Sequence, residues 1–320
     1  MNATLIANRA SRLEALLQEV WRQHPAEAAG FSLVLTELNE AWQAGQEGRM
    51  PRPSLLTPCG FPFELNARSD SRELCYTAEP AAPGAGWTTQ LSSVRRLTGI
   101  DLAADPALAV FLQQPAPRFG CWLSMRHSKD ITAGKAYLET GPSTHQYFSA
   151  QLHAACNALP QQISFLPMLA GVYPGVPGIS EYYVRLLHPD AVSLQSLFAA
   201  CDAGNQLPLV LSVLGELAAQ QASVVLTQVR LGASIRMQPG KHPAVTLFLH
   251  APQLFRDNLH ARTRILALAR HLGGALPLYE AISASLLVRP VAQPLHSVVS
   301  LKIGSRSLSC SVGYSPATLE

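Results

Sequence analysis

Charge is scarce in this chain of 320 residues. Asp, Glu, Lys and Arg together make 14% of it, lysine occurs four times, and the formal net charge is +3. No run of Lys or Arg forms a tail or stripe, which excludes the electrostatic footprint of a nucleic-acid partner. No apolar stretch approaches the length that crosses a bilayer. The first thirty residues carry charges throughout and lack the apolar h-region of a secretory signal. The six cysteines, Cys59, Cys75, Cys121, Cys156, Cys201 and Cys310, stand far apart, with no CxxC pair and no nearby His of the metal type. That spacing argues against a metal module and for reduced, structural thiols in a cytoplasmic protein. A Pro-, Gly- or Ser-rich linker between two halves is also missing, and the one Pro-rich piece, EPAAPGAGW, is short. Hydrophobic residues, at 48%, are plentiful enough for a sizeable core and exclude a disordered chain.

What the chain does have is a repeated order. Residues 11 to 45 are helical in period, with Leu13, Leu16, Leu17, Val20 and Trp21 along one face. Two strand-like runs follow, PFELNARS and ELCYTAEP, with Asp70 and Ser71 marking the turn between them. A second helical stretch, Trp87 to about Gln114, precedes FGCWLSMRHS and ITAGKAYLETG. A third, Thr144 to Leu159, precedes SFLPMLAGVYP and ISEYYVRLLHP. Ser193 to Gln220 leads into VLTQVRLGASIRMQP and PAVTLFLHAP, and Asn258 to Leu287 into HSVVSLKIG and LSCSVGYSP. Helix, helix, strand, strand recurs five times. Strands joined as hairpins pair antiparallel, and ten of them close into a single barrel. The expectation is therefore an α/β fold: one domain over residues 1–320, a ten-stranded antiparallel β-barrel surrounded by helices in five ααββ units.

That architecture decides what the strands' polar faces look at. With helices outside, the apolar face of each strand points outward and the polar face points into the lumen. In this phase Glu64, Asn66 and Arg68 of strand one face inward. So do Trp122, Ser124 and Arg126 of strand three, and Lys135, Tyr137 and Glu139 of strand four. Strand six contributes Glu181, Tyr183 and Arg185; strand seven, Ser234, Arg236 and Gln238; strand eight, Thr246, Phe248 and His250; strand nine, Ser300 and Lys302. Strands five and ten alternate poorly, and their phase stays open. A slip of one residue in any strand would turn its picks outward.

Lysine is rare here, yet Lys135 and Lys302 both fall on predicted inward faces. Buried cations are normally paired or functional. Five candidates, Arg126, Lys135, Arg185, Arg236 and Lys302, converge with Tyr137, Tyr183 and Phe248, and a ring of cations calls for an anion. A diphosphate fits, because Arg and Lys give charge-assisted hydrogen bonds to its oxygens. The aromatic faces suit a flat acceptor or a carbocation. The structural alternatives are pairing of Lys135 with Glu139 or another inward acid, packing roles for the aromatic residues, and hydrogen-bonded structural roles for His127, His250 and His296.

The motifs and the repeat together resemble the ABBA-fold aromatic prenyltransferases, and among them the dimethylallyltryptophan synthase branch. The family's first hairpin reads close to GxPxExSxN followed by a strand ending in EP. Here the matching residues are Gly60, Glu64 and Asn66, then CYTAEP ending at Glu79 and Pro80. Its Lys-x-Tyr is matched by Lys135 and Tyr137, and its final hairpin resembles VVSLKIG and VGYSP, which brings Tyr314 into the acceptor pocket. The resemblance implies transfer of a prenyl group, dimethylallyl first, from a prenyl diphosphate to an indole or other electron-rich ring by Friedel–Crafts alkylation. It implies that Glu64 accepts the indole N–H, that Lys135 holds diphosphate, and that Tyr137, Tyr183, Phe248, Trp122 and Tyr314 shield the allylic cation or line the acceptor pocket.

The chain also departs from the family's pattern. Cys75 stands where the family usually has an Arg, Ile179-Ser-Glu181-Tyr-Tyr183 replaces Arg-x-Lys-x-Tyr, and Thr246-Leu-Phe248 replaces Gln-x-Tyr. Arg126, Arg185, Arg236 and Lys302 are the candidate substitutes. No cofactor is expected to be required; Mg²⁺ near Glu139 or Glu181 is the other source of the missing positive charge. No DDxxD-type cluster supports a helical isoprenoid synthase. The alternative functions are a phenolic, naphthol or peptide-directed prenyltransferase and a non-catalytic carrier of an aromatic or isoprenoid ligand. The expected partners are small molecules, with neither nucleic acid nor membrane.

Overall fold

The computed structural model describes residues 2–44, 52–105, 108–112, 117–128, 131–155, 163–173, 179–289 and 291–316. Its ten strands are β1 (Phe63–Arg68), β2 (Leu74–Ala78), β3 (Cys121–Ser128), β4 (Ile131–Glu139), β5 (Phe165–Val172), β6 (Ser180–Leu186), β7 (Leu231–Met237), β8 (Ala244–His250), β9 (His296–Ile303) and β10 (Leu308–Tyr314). Neighbours in sequence pair antiparallel, and β10 returns to β1, so the sheet closes into a barrel without an edge. Two rims result. The hairpin turns lie at one end, and the links that run out to the helices lie at the other.

The core is the sleeve between strands and helices. Leu65, Tyr76, Leu123, Ala136, Val184, Ile235, Leu247, Leu301 and Val312 alternate along their strands and are all buried. The register keeps them on one face: Leu65 opposes Tyr76 and Leu247 opposes Leu301. Against this face pack the amphipathic helices. Helix α2 (Pro25–Ala44) buries Ala28, Phe31, Leu35, Leu38 and Trp42, and the Phe31 ring meets Tyr76 edge-on at 5.1 Å. At about 25 cal/mol per Å², each such aromatic contributes on the order of 2–3 kcal/mol by leaving water.

Local chemistry breaks the long helical stretches that periodicity suggests. The first divides at His24 into α1 (Asn2–Gln23) and α2, because Pro25 cannot continue a helix but suits the start of one. The second stops at Gly99, whose φ of +73° ends α3 (Trp87–Thr98) in a left-handed cap, before α4 (Ala109–Leu112). The third is described as α5 (Pro142–Ala155); the remainder of that prediction lies outside the described residues. The fourth is two helices, α6 (Ala191–Ala200) and α7 (Leu207–Ala218); α8 (Ala222–Gln228) follows and takes the first residues of the run read as strand, so that β7 starts only at Leu231. Asp190 caps α6, accepting from Ser193 N at 2.7 Å, while Ser193 Oγ accepts from Asp190 N at 2.9 Å. The short α9 (Ala251–Leu254) precedes the fifth, which comprises α10 (Asn258–His271) and α11 (Pro277–Ile282). Asn258 then pins the return to β9, donating to the Val291 and Gln293 carbonyls and accepting from Leu295 N.

The described cysteines are free thiols, Cys59, Cys75, Cys121, Cys201 and Cys310; Cys156 lies outside the described residues. Among the described residues no single helix is long and apolar enough to cross a membrane.

Candidate functional site in the barrel lumen

The lumen face follows from the register. Glu64 opposes Thr77, Thr77 opposes Ser124, and Ser124 opposes Lys135. Tyr137 opposes Trp122 on one side and Gly171 on the other; Gly171 opposes Glu181, and Glu181 opposes Arg236. Phe248 opposes Gly232 and Ser300. On β5, whose phase periodicity leaves open, Leu169 and Gly171 face inward around an irregularity at Pro167.

Glu64 is 6% exposed. Ser297 Oγ donates to its Oε2. With the Asn66 carboxamide oriented so that Oδ1 accepts from Thr77 Oγ1 at 2.7 Å, Nδ2 donates to Glu64 Oε1 at 2.9 Å. Burial pushes the carboxyl up to about 7, against the opposing pull of Ser297. Gly313 is why the carboxylate fits: a Cβ there would stand 2.5 Å from Glu64 Cδ and 2.6 Å from Oε1. Ser297 reaches the lumen through an irregularity in the β9–β10 ladder, where Val312 pairs with Val299 but Tyr314 pairs with His296.

A second buried carboxyl sits near the helix-side rim. Glu79 follows β2 in the inward phase and is 1% exposed. Its Oε1 accepts from Ser54 Oγ at 2.7 Å and from Trp122 Nε1 at 3.3 Å, while Oε2 has no hydrogen-bond partner among the described residues. Burial pushes this carboxyl, too, up to about 7. Trp122 is therefore fixed at both ends, by Glu79 and by stacking on Phe119 at 4.1 Å.

Across the lumen lies an aromatic and ionic cluster. Lys135 Nζ donates to Glu181 Oε2 at 3.0 Å and to Tyr183 Oη at 2.6 Å. It stands 4.4 Å from the Tyr137 ring centre, 5.4 Å from that of Tyr173 and 5.1 Å from that of Tyr183. Tyr173 Oη donates to Glu181 Oε2 at 2.7 Å, and Ser234 Oγ donates to Glu181 Oε1 at 2.6 Å. The Arg236 guanidinium lies over Tyr173 at 4.9 Å. Tyr183 meets Tyr137 edge-on at 5.3 Å and Phe248 at 5.6 Å. Burial opposes the charge on Lys135, but Glu181 and the neighbouring phenols outweigh it and hold the ammonium charged.

The five predicted cations do not form one ring. Lys135 and Arg236 gather here. Arg126 is half-exposed at the hairpin rim and pairs with Glu73 at 3.3 Å. Lys302, at the same rim, donates to Asp70 at 3.1 Å, and Arg68 also pairs with Asp70. Arg185 is exposed near the opposite rim. These residues occupy the inward phase, but they stand where their strands leave the barrel, and water or a neighbouring acid takes the charge. Tyr314 is corrected outright. It opposes Leu65 on the outer face and packs edge-on against Tyr279 of α11 at 5.5 Å, so it lines no lumen pocket. The two acids suggested for a metal are both engaged: Glu181 as above, and Glu139 by Arg118 Nε at 2.9 Å and the backbone N–H groups of Phe119 and Gly120.

Of the three histidines, His296 and His127 are structural, hydrogen-bonded to the hydroxyls of Tyr279 at 2.8 Å and Tyr76 at 3.0 Å. His250 is the last residue of β8, at the helix-side rim where the chain enters α9. Sequence reasoning missed Ser297, Tyr173 and Gly313 as site residues. Tyr173 lies just beyond a strand without alternation, and Ser297 is brought in by the β9 irregularity, which leaves no mark in composition. A surface cleft of about 220 Å³ where β6 runs into α6 is lined by residues such as Leu187, His188 and Ser196, none of them a buried titratable group. Chemistry, rather than cleft size, singles out the lumen.

No protein-family model matches the sequence, and no curated protein matches it. Solved structures do. 6-Dimethylallyltryptophan synthase from Micromonospora olivasterospora, in complex with DMASPP and Trp, is 17% identical, with a TM-score of 0.75 over 95% of this chain and 96% of that one. 5-Dimethylallyltryptophan synthase from Streptomyces coelicolor, also with DMASPP and Trp, is 18% identical, with a TM-score of 0.76 over 96% of this chain and 94% of that one. The prenyltransferase PriB, in ternary complex with L-tryptophan and dimethylallyl thiolodiphosphate, is 18% identical, with a TM-score of 0.72 over 98% and 99% of the two chains. The ten-stranded barrel with its outer helices is thus shared with these proteins along nearly its whole length.

Proposed function

We propose that this barrel transfers a prenyl group from a prenyl diphosphate to an electron-rich aromatic acceptor, with an indole as the first candidate and dimethylallyl as the first donor. The observation that carries the reading is Glu64, a buried carboxyl poised near neutrality and held from both sides by Ser297 and Asn66. A carboxylate so placed accepts an acceptor N–H and raises the ring's electron density. Proteins of the same fold, solved with tryptophan and donor analogues, support the choice of substrates.

The remaining chemistry follows from the opposite wall. As the donor's C–O bond breaks heterolytically, Lys135 and Arg236 attract the leaving diphosphate. Tyr137, Tyr183 and Phe248 present ring faces to the allylic cation and exclude water, which would otherwise capture it. The ring carbon attacks, a C–C bond forms, and loss of one proton restores aromaticity.

The test is mass spectrometry of the purified protein incubated with dimethylallyl diphosphate and a panel of tryptophan, indole, tyrosine and naphthol acceptors. A product heavier by one dimethylallyl group, made by the wild type and lost in Glu64→Gln, is expected. Unchanged ligand binding with no product from any acceptor would instead identify a carrier.

A further inference from the structure

The Lys135 cluster already contains an anion. Three donors converge on the Glu181 carboxylate: the Lys135 ammonium at 3.0 Å, the Tyr173 hydroxyl at 2.7 Å and the Ser234 hydroxyl at 2.6 Å. Ammonium, phenol and hydroxyl around one anion, with a guanidinium alongside, are what a site for a phosphate oxygen would supply. The pair is sequestered, with side-chain exposures of 15% for Lys135 and 9% for Glu181. Arg236 is the cross-strand partner of Glu181, and its Nε has no hydrogen-bond partner among the described residues. Gly171 clears the space: a Cβ there would stand 3.2 Å from Glu181 Cβ and 3.1 Å from Tyr183 Cε2.

We infer that Glu181 is a built-in counter-anion, a specificity-determining residue that occupies the anion position of the lumen and must yield Lys135 before a diphosphate can bind there. The inference rests on the prenyl-transfer reading for the identity of the ligand. Burial opposes the ionisation of Glu181, but Lys135, Ser234 and Tyr173 more than offset it and bring the carboxyl down to about 2, so the competitor is fully charged at neutral pH. With Glu181 ionised, Lys135 is neutralised, and among the described residues no acid pairs with Arg236, whose Nε lacks a hydrogen-bond partner. The other inward-phase cations at the hairpin rim are engaged by Asp70 and Glu73. The barrel therefore holds a diphosphate weakly and releases it readily after the reaction.

Calorimetric titration of the full chain with inorganic pyrophosphate in EDTA tests this. Glu181→Gln keeps the side chain's shape and removes its charge; it should bind pyrophosphate about tenfold tighter than the wild type or better. The gain should vanish in the double variant Glu181→Gln with Lys135→Met, because Lys135 is the cation set free. Ser234→Ala, which only loosens the carboxylate, should bind a few-fold tighter and serves if Glu181→Gln does not fold. Equal or weaker binding by the single variants, or a gain that survives loss of Lys135, would overturn the inference. Product formation by the wild type is read separately. A wild type that makes prenylated product while Glu181→Gln gains no affinity fails this inference alone. A gain in affinity without product from any acceptor fails the functional reading alone.

Discussion

Glu64 owes its poise to opposing effects at single residues. Desolvation raises its pKa and the Ser297 hydroxyl lowers it, leaving the carboxyl near 7. Ser297→Ala removes the lowering contribution, so the pKa should move further up and the rise in rate with pH should shift toward alkaline conditions; a pH–rate profile reads this directly. Glu64→Gln keeps the size of the side chain but cannot accept a proton. It should fold normally and lose on the order of a hundredfold or more in turnover, within the range ascribed to a positioned proton acceptor. The same buried group marks the limit of reading residues one at a time. Glu64 is legible in the sequence because it sits in an alternating strand, as is Lys135, a rare residue on a predicted inward face. That Lys135 could pair with an inward acid was legible too, but that the acid is Glu181 rather than Glu139 was not, because it depends on which strands meet across the lumen.

At the scale of elements, period-two alternation was enough to place residues such as Ser124, Lys135, Tyr137, Glu181, Arg236 and Phe248 on the lumen face, since a slip of one residue would have exposed a whole apolar row. Alternation fixes the face of a residue but not its height along the barrel. Arg126, Arg185 and Lys302 occupy the inward phase yet stand toward the rims, where Glu73 and Asp70 pair with two of them. Tyr314 shows the converse: a residue of the last hairpin faces the helices with Leu65, on a strand whose small inward residues, Ser309, Ser311 and Gly313, hide the pattern. Helix boundaries were blurred for another reason. The apolar period runs through Pro25 and Gly99, and backbone chemistry, not burial, ends the helices there. The β9–β10 irregularity makes its own prediction. Gly313→Ala would press a methyl group against Glu64 and should cost about 1–3 kcal/mol of stability while displacing the carboxylate, so that activity falls more than about tenfold. Thermal unfolding beside a turnover assay measures both; an active, fully stable variant would show that the close approach is unimportant.

For the molecule as a whole, a barrel that is apolar outside and polar inside must bury titratable groups, and its stability carries their signature. The folded-state pKa of Glu64 lies above the ordinary value of 4.5, at about 7. The folded chain then binds more protons than the unfolded one between those limits, so this group's contribution to stability falls as pH rises through the window and is fully lost above it. Glu79 acts in the same direction. His296, held by burial near 3 and so uncharged in the fold, acts in the opposite one between its ordinary value and 3. A difference measurement isolates Glu64: relative to the wild type, Glu64→Gln should gain about 2–3 kcal/mol between pH 5 and pH 8. Urea unfolding of both proteins at the two pH values checks it, and a constant difference would place Glu64 in water rather than in the lumen.

The proposed prenyl transfer turns on Glu64, inside the barrel. The most direct measurement is the initial rate of prenylated-indole formation from dimethylallyl diphosphate against pH, for the wild type and Glu64→Gln side by side. The wild-type rate should rise through an apparent pKa near 7, and the variant should stay at the floor across the range. A wild-type rate flat in pH, or a variant that turns over as fast as the wild type, would contradict it.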